Sequence, residues 1–154
     1  MSAAILASLF LVQPAAADER ALVLSGDVGG GEVALDGAQL DALPQTEFET
    51  TTLWTEGTQR FSGPSLAAVL DAADAGHGDL RLVALNDYVV DLPREAVEEA
   101  APIVATRIDG ETFGVREKGP LWVLFPFDDD PRFQSDVYYA YSVWQLSRIE
   151  VLAE

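Results

Sequence analysis

Residues 61–70 read FSGPSLAAVL, and this stretch decides how the chain divides into elements. Arg60 and Phe61 predict a short strand that ends at Gly63-Pro64, because glycine and proline interrupt regular structure. A helix is predicted from Ser65 to Ala75, since proline is favoured at a helix start and the apolar side chains at 66, 69, 70 and 73 fall on one face. The Gly-His-Gly run at 76–78 ends this helix.

Short strands and helical turns are predicted on both sides of this helix. The segment from Leu121 to Phe125 is nearly all apolar, which predicts a buried, central strand. The other predicted strands cover residues 21–25, 32–35, 46–53, 80–85, 88–92, 102–108 and 144–152, and helical turns are predicted at 39–43 and 94–99. Strands and helices mix without a regular strand–helix–strand rhythm. This order predicts a mixed α+β domain.

The first seventeen residues predict a secretory signal peptide. An apolar core, ILASLFLV at 5–12, is followed by small residues at Ala15 and Ala17, which is the pattern that precedes a cleavage site. The core is too short to cross a bilayer as a helix, for which about 20 apolar residues are needed. We therefore expect cleavage before Asp18, a periplasmic location, no insertion into a membrane, and one domain over residues 18–154.

Composition restricts both the partners and the chemistry. The 154 residues carry 9 basic and 26 acidic side chains, a net charge of -17, and no cysteine. Nucleic acid is excluded as a partner, because binding to phosphates needs clustered lysine and arginine. Without cysteine the chain has neither a disulfide nor a thiolate, so the hydrophobic core alone must stabilise the fold.

Several segments resemble the molybdopterin-binding domain of sulfite-oxidase-type enzymes. Residues 61–70 are similar to that family's F-x-G-x-x-L-x-x-L-L segment, 105–111 (ATRIDGE) to its A-x-x-x-N-G-E turn, and 118–126 (KGPLWVLFP) to its G-G-P-L-R-L-V-V-P strand, with further matches at 84–88, 91–93 and 144–151. Residues 50–54 (TTTLW) and 118–128 resemble a small exported branch labelled molybdopterin-dependent oxidoreductase. The resemblance implies a mixed-sheet, sulfite-oxidase-like molybdopterin-binding-domain fold over nearly all of residues 18–154.

The chain departs from this family at the positions that hold the cofactor. The resemblance places the molybdenum-ligating cysteine near Thr51 or Thr52, and a threonine hydroxyl is a poor substitute for a soft, anionic sulfur. The family's G-N-R turn is Thr55-Glu56-Gly57 here, and two of its basic positions hold Trp122 and Val143. We therefore expect no cofactor. The alternative is molybdopterin held by an unusual, non-cysteine metal ligand.

A cofactor cleft that has lost its cofactor but keeps aromatic and polar side chains is a reasonable site for a small ligand. The candidate ligand-binding residues are Thr51, Thr52, Trp54, Arg60, Asn86, Asp87, Tyr88, Lys118, Trp122, Tyr141 and Trp144, with Tyr138 and Tyr139 in the same aromatic set. Lys118 or Arg60 would orient an anion. No catalytic residue or metal ligand is assigned: His77 is expected to be solvated past the helix, and the run Asp128-Asp129-Asp130 lacks the spacing of a calcium loop.

Two classes of function follow from these observations. The first is an exported, non-catalytic module that binds a small molecule, or that serves as a sensory or accessory partner of a membrane-bound sensor protein. A structural partner in a larger envelope complex is grouped with this first class, because the sequence does not distinguish such a partner from a ligand-binding module. The second is a molybdopterin-dependent oxidoreductase. The missing cysteine and the few basic side chains favour the first class.

Overall fold

Strands dominate the structure, a computed structural model that describes residues 18–154. The predicted signal peptide, residues 1–17, lies outside the described residues. The strands are β1 (Ala21–Gly26), β2 (Glu32–Asp36), β3 (Gln45–Thr50), β4 (Gln59–Pro64), β5 (Leu80–Ala84), β6 (Val89–Leu92), β7 (Ile103–Ala105), β8 (Arg107–Ile108), β9 (Glu111–Thr112), β10 (Trp122–Leu124) and β11 (Leu146–Val151). The helices are α1 (Gly37–Ala42), α2 (Leu66–Ala72) and α3 (Asp136–Tyr141), with single 3-10 turns at Gly29–Gly31, Arg94–Ala96, Val115–Glu117 and Pro131–Phe133. This mixture confirms the predicted α+β class.

The largest sheet has five strands in the order β2-β1-β11-β5-β6. It joins the two ends of the described chain, because β1 pairs in parallel with β11, with Val23 opposite Arg148. The other neighbours in this sheet are antiparallel. Alternate side chains along the strands are buried, as Leu22 and Leu24 are on β1. The period-two pattern in the sequence therefore corresponds to one face of this sheet packed on the core.

Two smaller sheets hold the remaining strands, in the orders β3-β4-β8-β9 and β10-β7. The predicted strand over 102–108 is wrong in its length, because it divides at Thr106: β7 pairs with β10, whereas β8 pairs with β4. Thr106 is fully buried, and its N–H donates to the carbonyl oxygen of Ser62 at 2.9 Å. This turn of the chain into the core separates the two strands.

The predicted end of β4 is also wrong. β4 continues through Gly63 and Pro64, and Pro64 occupies its last paired position, opposite Gln45. Gly63 lies so close to the backbone carbonyl of Val104 that a Cβ atom at this position would collide with it. The glycine is therefore needed for close backbone approach within a strand, rather than for ending one.

The helices differ from the prediction in length and number. α2 begins after Ser65, whose hydroxyl accepts the N–H of Ala68 at 3.1 Å as an N-cap, and it ends at Ala72 rather than at Ala75. The helix α3 was not predicted, because its sequence DVYYAY shows no apolar helical period. Within residues 18–154, no helix is both long enough and apolar enough to cross a membrane.

The apolar segment at 121–125 contains β10, and its burial is confirmed. Each side chain from Leu121 to Phe125 is fully buried. The predicted central position is wrong, since the ladder partner of β10 is β7 in a two-stranded sheet. On its other side, β10 is bridged to the segment just before β11, through the pair Trp122 and Trp144. This bridge brings the two tryptophans close together.

Asp41 on α1 joins two arginines that are far apart in sequence. Its carboxylate accepts hydrogen bonds from Arg20, which precedes β1, at 2.8 and 2.9 Å, and from Arg107 on β8 at 2.8 and 3.1 Å. The hydrogen bonds from Arg107, and then those from Arg20, hold the pKa of Asp41 below its ordinary value of 3.8, although burial opposes them. These three side chains connect the five-stranded sheet to the four-stranded one.

Candidate ligand-binding site

Aromatic side chains gather around Trp54. The centroid of its ring lies 5.5 Å from that of Trp144, 5.8 Å from Trp122, 5.9 Å from Tyr139 and 6.2 Å from Phe127. The interplanar angles lie between 62° and 89°, so the rings meet edge to face, as aromatic pairs prefer. We call these five side chains the aromatic cluster.

Hydrogen bonds to Asp128 hold the loop that carries Trp54. The N–H and the hydroxyl of Thr51 each donate to the Asp128 carboxylate at 2.7 Å, and the N–H of Asp128 donates to the hydroxyl of Thr50 at 3.2 Å. The Trp54 N–H in turn donates to the Thr52 hydroxyl at 3.1 Å. These bonds replace a sheet ladder after β3 and fix the Trp54 ring against the core.

The other rings of the cluster come from α3, from β10 and the segment that follows it, and from the segment before β11. Tyr139 lies on α3, and the short turn that follows α3 leads to Trp144. The indole N–H of the fully buried Trp122 donates to the carbonyl oxygen of Ser142 at 3.2 Å. This bond gives the indole N–H of Trp122 an acceptor inside the core, so Trp122 is a fully buried member of the cluster that packs against Trp54.

A cleft of about 280 Å³ opens beside the cluster, and we call it the aromatic cleft. Its lining consists of Trp54, Ala84, Asn86, Tyr88, Tyr139, Ala140, Ser142, Val143 and Trp144. Tyr88 comes from the turn between β5 and β6, where Asn86 Oδ1 accepts the N–H of Tyr88 at 3.2 Å. The lining side chains carry no formal charge. The cleft is therefore an aromatic hollow with few polar groups.

A second cleft, of about 330 Å³, lies on another side of Trp54, and we call it the lysine cleft. Its lining consists of Trp54, Thr55, Gln59, Ile108, Glu111, Thr112, Phe113, Glu117 and Lys118. The ammonium of Lys118 lies 5.3 Å from the ring centroid of Trp144, which is a cation–π distance. The buried Oε1 of Gln59 has no hydrogen-bond partner among residues 18–154. A ligand or water in this cleft could satisfy it.

The candidate ligand-binding residues fall into five places. Trp54, Asn86, Tyr88 and Trp144 line the aromatic cleft, Lys118 lines the lysine cleft, Thr51 and Thr52 line a third hollow of about 220 Å³, and Trp122 and Tyr141 pack into the aromatic core. Arg60 and Asp87 are exposed and line none of these three hollows. The structure thus brings four of the eleven candidates together in one cleft. Their role in binding stays a prediction.

Part of the aromatic cleft was not among the candidate residues. Tyr139 forms a wall, and Ala84, Ala140, Ser142 and Val143 supply the rest of the lining. The sequence shows a tyrosine-rich run at 138–141, but without a predicted helix it does not favour Tyr139 over Tyr141. On α3, Tyr139 faces Trp54, whereas the Tyr141 ring contacts Tyr138 at 5.7 Å.

The side chains around Trp54 do not fit a molybdenum pterin. The chain contains no thiolate to bind the metal, and the hydroxyls at the corresponding positions are engaged: Thr51 bonds to Asp128, and Thr52 lies 2.6 Å from the Thr55 hydroxyl. Lys118 is the basic residue in the lining of the three hollows around Trp54. A doubly charged cofactor phosphate would find little compensating charge there.

Most arginines for which the structure gives a partner bind carboxylates outside the three hollows around Trp54. Arg81 pairs with Asp91 at 2.9 Å, and Arg132 pairs with Glu98 at 2.6 Å. Arg60 reaches Glu47 at 3.9 Å on the outer face of the β3–β4 hairpin. Within residues 18–154, no group of three or more acidic or histidine side chains is arranged to hold a metal ion.

Comparisons with known proteins indicate a shared fold and no more. No family model matches the chain, and no curated protein matches it. Among solved structures, the sulfane dehydrogenase SoxCD from Paracoccus pantotrophus is similar over 89% of this chain, with a TM-score of 0.65 and 15% sequence identity. This chain spans 39% of that protein's chain. The described domain is therefore a mixed α+β fold distantly related in structure to one part of a sulfane dehydrogenase.

Proposed function

We propose that this protein is an exported, non-catalytic module that binds a small molecule in the aromatic cleft. In this role it acts as a carrier, or as a sensory or accessory partner of a membrane-bound protein. The observation that carries the proposal is the cleft itself, in which Trp54, Tyr88, Tyr139 and Trp144 converge on one hollow. Predominantly aromatic walls with a few polar groups are typical of small-ligand sites.

The size of the cleft favours a small ligand. Its volume of about 280 Å³ lies just below the range of roughly 300–1,000 Å³ typical of ligand pockets. Its walls are held in place before any ligand binds, because Trp54 packs against four other rings and its loop is bonded to Asp128. Such preorganisation lowers the entropic cost of binding.

The chemistry of the lining supports a binding role over a catalytic one. The lining of the aromatic cleft contains no carboxylate, histidine or lysine, so Tyr88 and Tyr139 are its only side chains of the kinds that serve as general acids or bases. The alternative is an oxidoreductase with a molybdopterin held by a non-cysteine ligand, and the structural likeness to sulfane dehydrogenase favours it. The engaged hydroxyls of Thr51 and Thr52 count against it.

The three tryptophans provide a direct test of binding. In isotope-labelled protein each indole N–H gives one NMR signal, and Trp54 and Trp144 line the cleft whereas Trp122 is buried behind it. We would add a panel of neutral, anionic and cationic compounds of fragment size. A ligand of the cleft should shift the Trp54 and Trp144 signals more than that of Trp122. If no compound in the panel moves them, the proposal is wrong.

Two substitutions at exposed positions separate binding in the cleft from binding elsewhere. Tyr88, which is 51% exposed, forms one wall, so Tyr88→Ala should weaken binding of any active compound about fivefold or more. Val115 is 46% exposed and lies outside the lining, so Val115→Ala should leave binding unchanged. Equal effects of the two substitutions would place the binding site somewhere else.

A further inference from the structure

The arrangement of the rings limits the shape of a ligand that the aromatic cleft can hold. The Trp54 and Tyr139 planes meet at 89°, and the Trp54 and Trp144 planes meet at 74°. A flat aromatic ligand stacks best between parallel rings, and neither Tyr139 nor Trp144 is parallel to Trp54. Rings that stand nearly at right angles to Trp54 suit a compact, rounded group that they contact on more than one side. Tyr88 adds a wall from the β5–β6 turn.

The electrostatics of the cleft favour a positive group. The faces of aromatic rings carry the negative end of a quadrupole and attract cations. The lining contributes no positive charge to oppose one, and the whole chain has a net charge of -17. An anion would have to enter an acidic protein and leave its charge without a cationic partner in the cleft.

Because the aromatic cleft has few polar atoms, it favours one kind of cation over another. A primary ammonium carries three N–H donors, each of which needs an acceptor when it leaves water. A quaternary ammonium has no N–H and is surrounded by methyl groups, so it can be desolvated against rings alone. Asn86 already uses its Oδ1 to accept the N–H of Tyr88, so its amide NH₂ suits a ligand hydroxyl.

Lys118 provides an example of the same contact within the protein. Its ammonium lies 5.3 Å from the ring centroid of Trp144, so this ring already attracts a cation. Lys118 itself lines the neighbouring lysine cleft, where Glu111 and Glu117 are also part of the lining. The negative charges of these two carboxylates lie on the same side as Lys118, so the lysine cleft as a whole carries no net positive charge.

From these observations we infer that the ligand of the aromatic cleft is a compact organic cation of the quaternary-ammonium class. This inference rests on the proposed function, because it names the ligand class for the same cleft. It goes further in predicting that positive charge, rather than apolar shape, provides most of the affinity.

The test compares choline with 3,3-dimethylbutan-1-ol, in which carbon replaces the charged nitrogen and the shape is kept. Both are titrated into isotope-labelled full-length protein, and the indole N–H signals of Trp54 and Trp144 are followed. Choline should bind about tenfold more tightly, or more, than its neutral analogue. Added NaCl should weaken the binding of choline and leave that of the analogue unchanged.

The other outcomes contradict the inference in distinguishable ways. If the neutral analogue binds as well as choline, the cation class is wrong and the proposed function stands. If choline does not bind while a neutral or anionic compound of the panel shifts Trp54 and Trp144, the inference again fails alone. If no compound shifts either signal, both the inference and the proposed function fail.

A series at one wall tests the contribution of the ring itself. Tyr88→Leu keeps an apolar side chain but removes the π face, and should weaken choline binding about threefold or more. Tyr88→Phe should restore what Tyr88→Leu loses. The matched control is Phe48→Leu, an aromatic-to-leucine change on β3 outside the lining, which should not alter choline binding. If all three variants lose the same amount of affinity for choline, the cation–π explanation is contradicted.

Discussion

Replacing Asp41 with asparagine should destabilise the fold, because its carboxylate is the shared partner of Arg20 and Arg107. Asparagine keeps the shape but loses the charge that accepts from both guanidinium groups. Hydrogen bonds to charged groups contribute about 1.5–3 kcal/mol each when shielded from water. The Asp41 and Arg107 side chains are each 31% exposed, so this value must be reduced for solvent screening. We expect a loss of about 2 kcal/mol in the free energy of unfolding at neutral pH.

The effect of Asp41→Asn should depend on pH in a defined direction. The hydrogen bonds from Arg107 and Arg20 lower the pKa of Asp41 in the folded protein. A carboxylate with a lowered pKa contributes stability above its unfolded pKa, and this contribution disappears as pH falls through the folded pKa. The difference between wild type and variant should therefore stay constant from neutral pH down to about pH 5, and shrink at lower pH as Asp41 is protonated.

Urea unfolding followed by circular dichroism measures this effect at each pH. The control is Asp91→Asn, because the Asp91 carboxylate accepts a hydrogen bond from Arg81 at 2.9 Å on an exposed surface. Removing its charge should lower the free energy of unfolding clearly less than Asp41→Asn does. The account of Asp41 would be refuted by equal losses in the two variants. A difference that persists unchanged well below the ordinary carboxyl pKa would refute it as well.

Three further substitutions test other parts of the structure, each by urea unfolding. Trp54→Ala removes a half-buried ring that contacts four others and should cost about 3 kcal/mol; a loss below about 1 kcal/mol would contradict its central place in the cluster. Ser65→Ala removes the N-cap of α2 and should cost about 1 kcal/mol, with Ser65→Asp retaining most of the stability. Gly63→Ala should cost about 2 kcal/mol or more, because the added Cβ would collide with the Val104 carbonyl. The control is Gly114→Ala, which should be nearly neutral because the atom nearest to its added Cβ is 3.5 Å away.

Local sequence patterns predict the strands that bury one face, but they do not predict strand ends and pairings that depend on tertiary contacts. Burial at every second position is visible in the sequence of β1 and β5, and both strands were predicted close to their observed ends. The segment 102–108 is apolar except at Thr106 and Arg107, and these two residue types are also common within strands, so local sequence does not show that it divides at Thr106. That division depends on a hydrogen bond to Ser62, which is 44 residues away. The parallel pairing of β1 with β11 is likewise set by long-range packing.

The candidate site was predicted in part, because residue type was visible and side-chain direction was not. Trp54 and Trp144 are aromatic residues in segments that resemble the molybdopterin-binding family, and they do meet in one cleft. Arg60 was selected for its charge. It precedes Phe61 on β4, whose side chain is fully buried, so alternation along the strand turns Arg60 toward solvent. Strand alternation could have removed Arg60 from the candidate site.

We propose above all that this mixed α+β fold binds a small molecule without a molybdenum cofactor. The most direct measurement is the molybdenum content of the protein purified from its native cells grown with molybdate, counted per chain by elemental mass spectrometry. We expect molybdenum far below one atom per chain, with the aromatic cleft open to added ligands. Molybdenum close to one atom per chain would contradict it, and would require an oxygen ligand such as Thr51 or Thr52 to bind the metal.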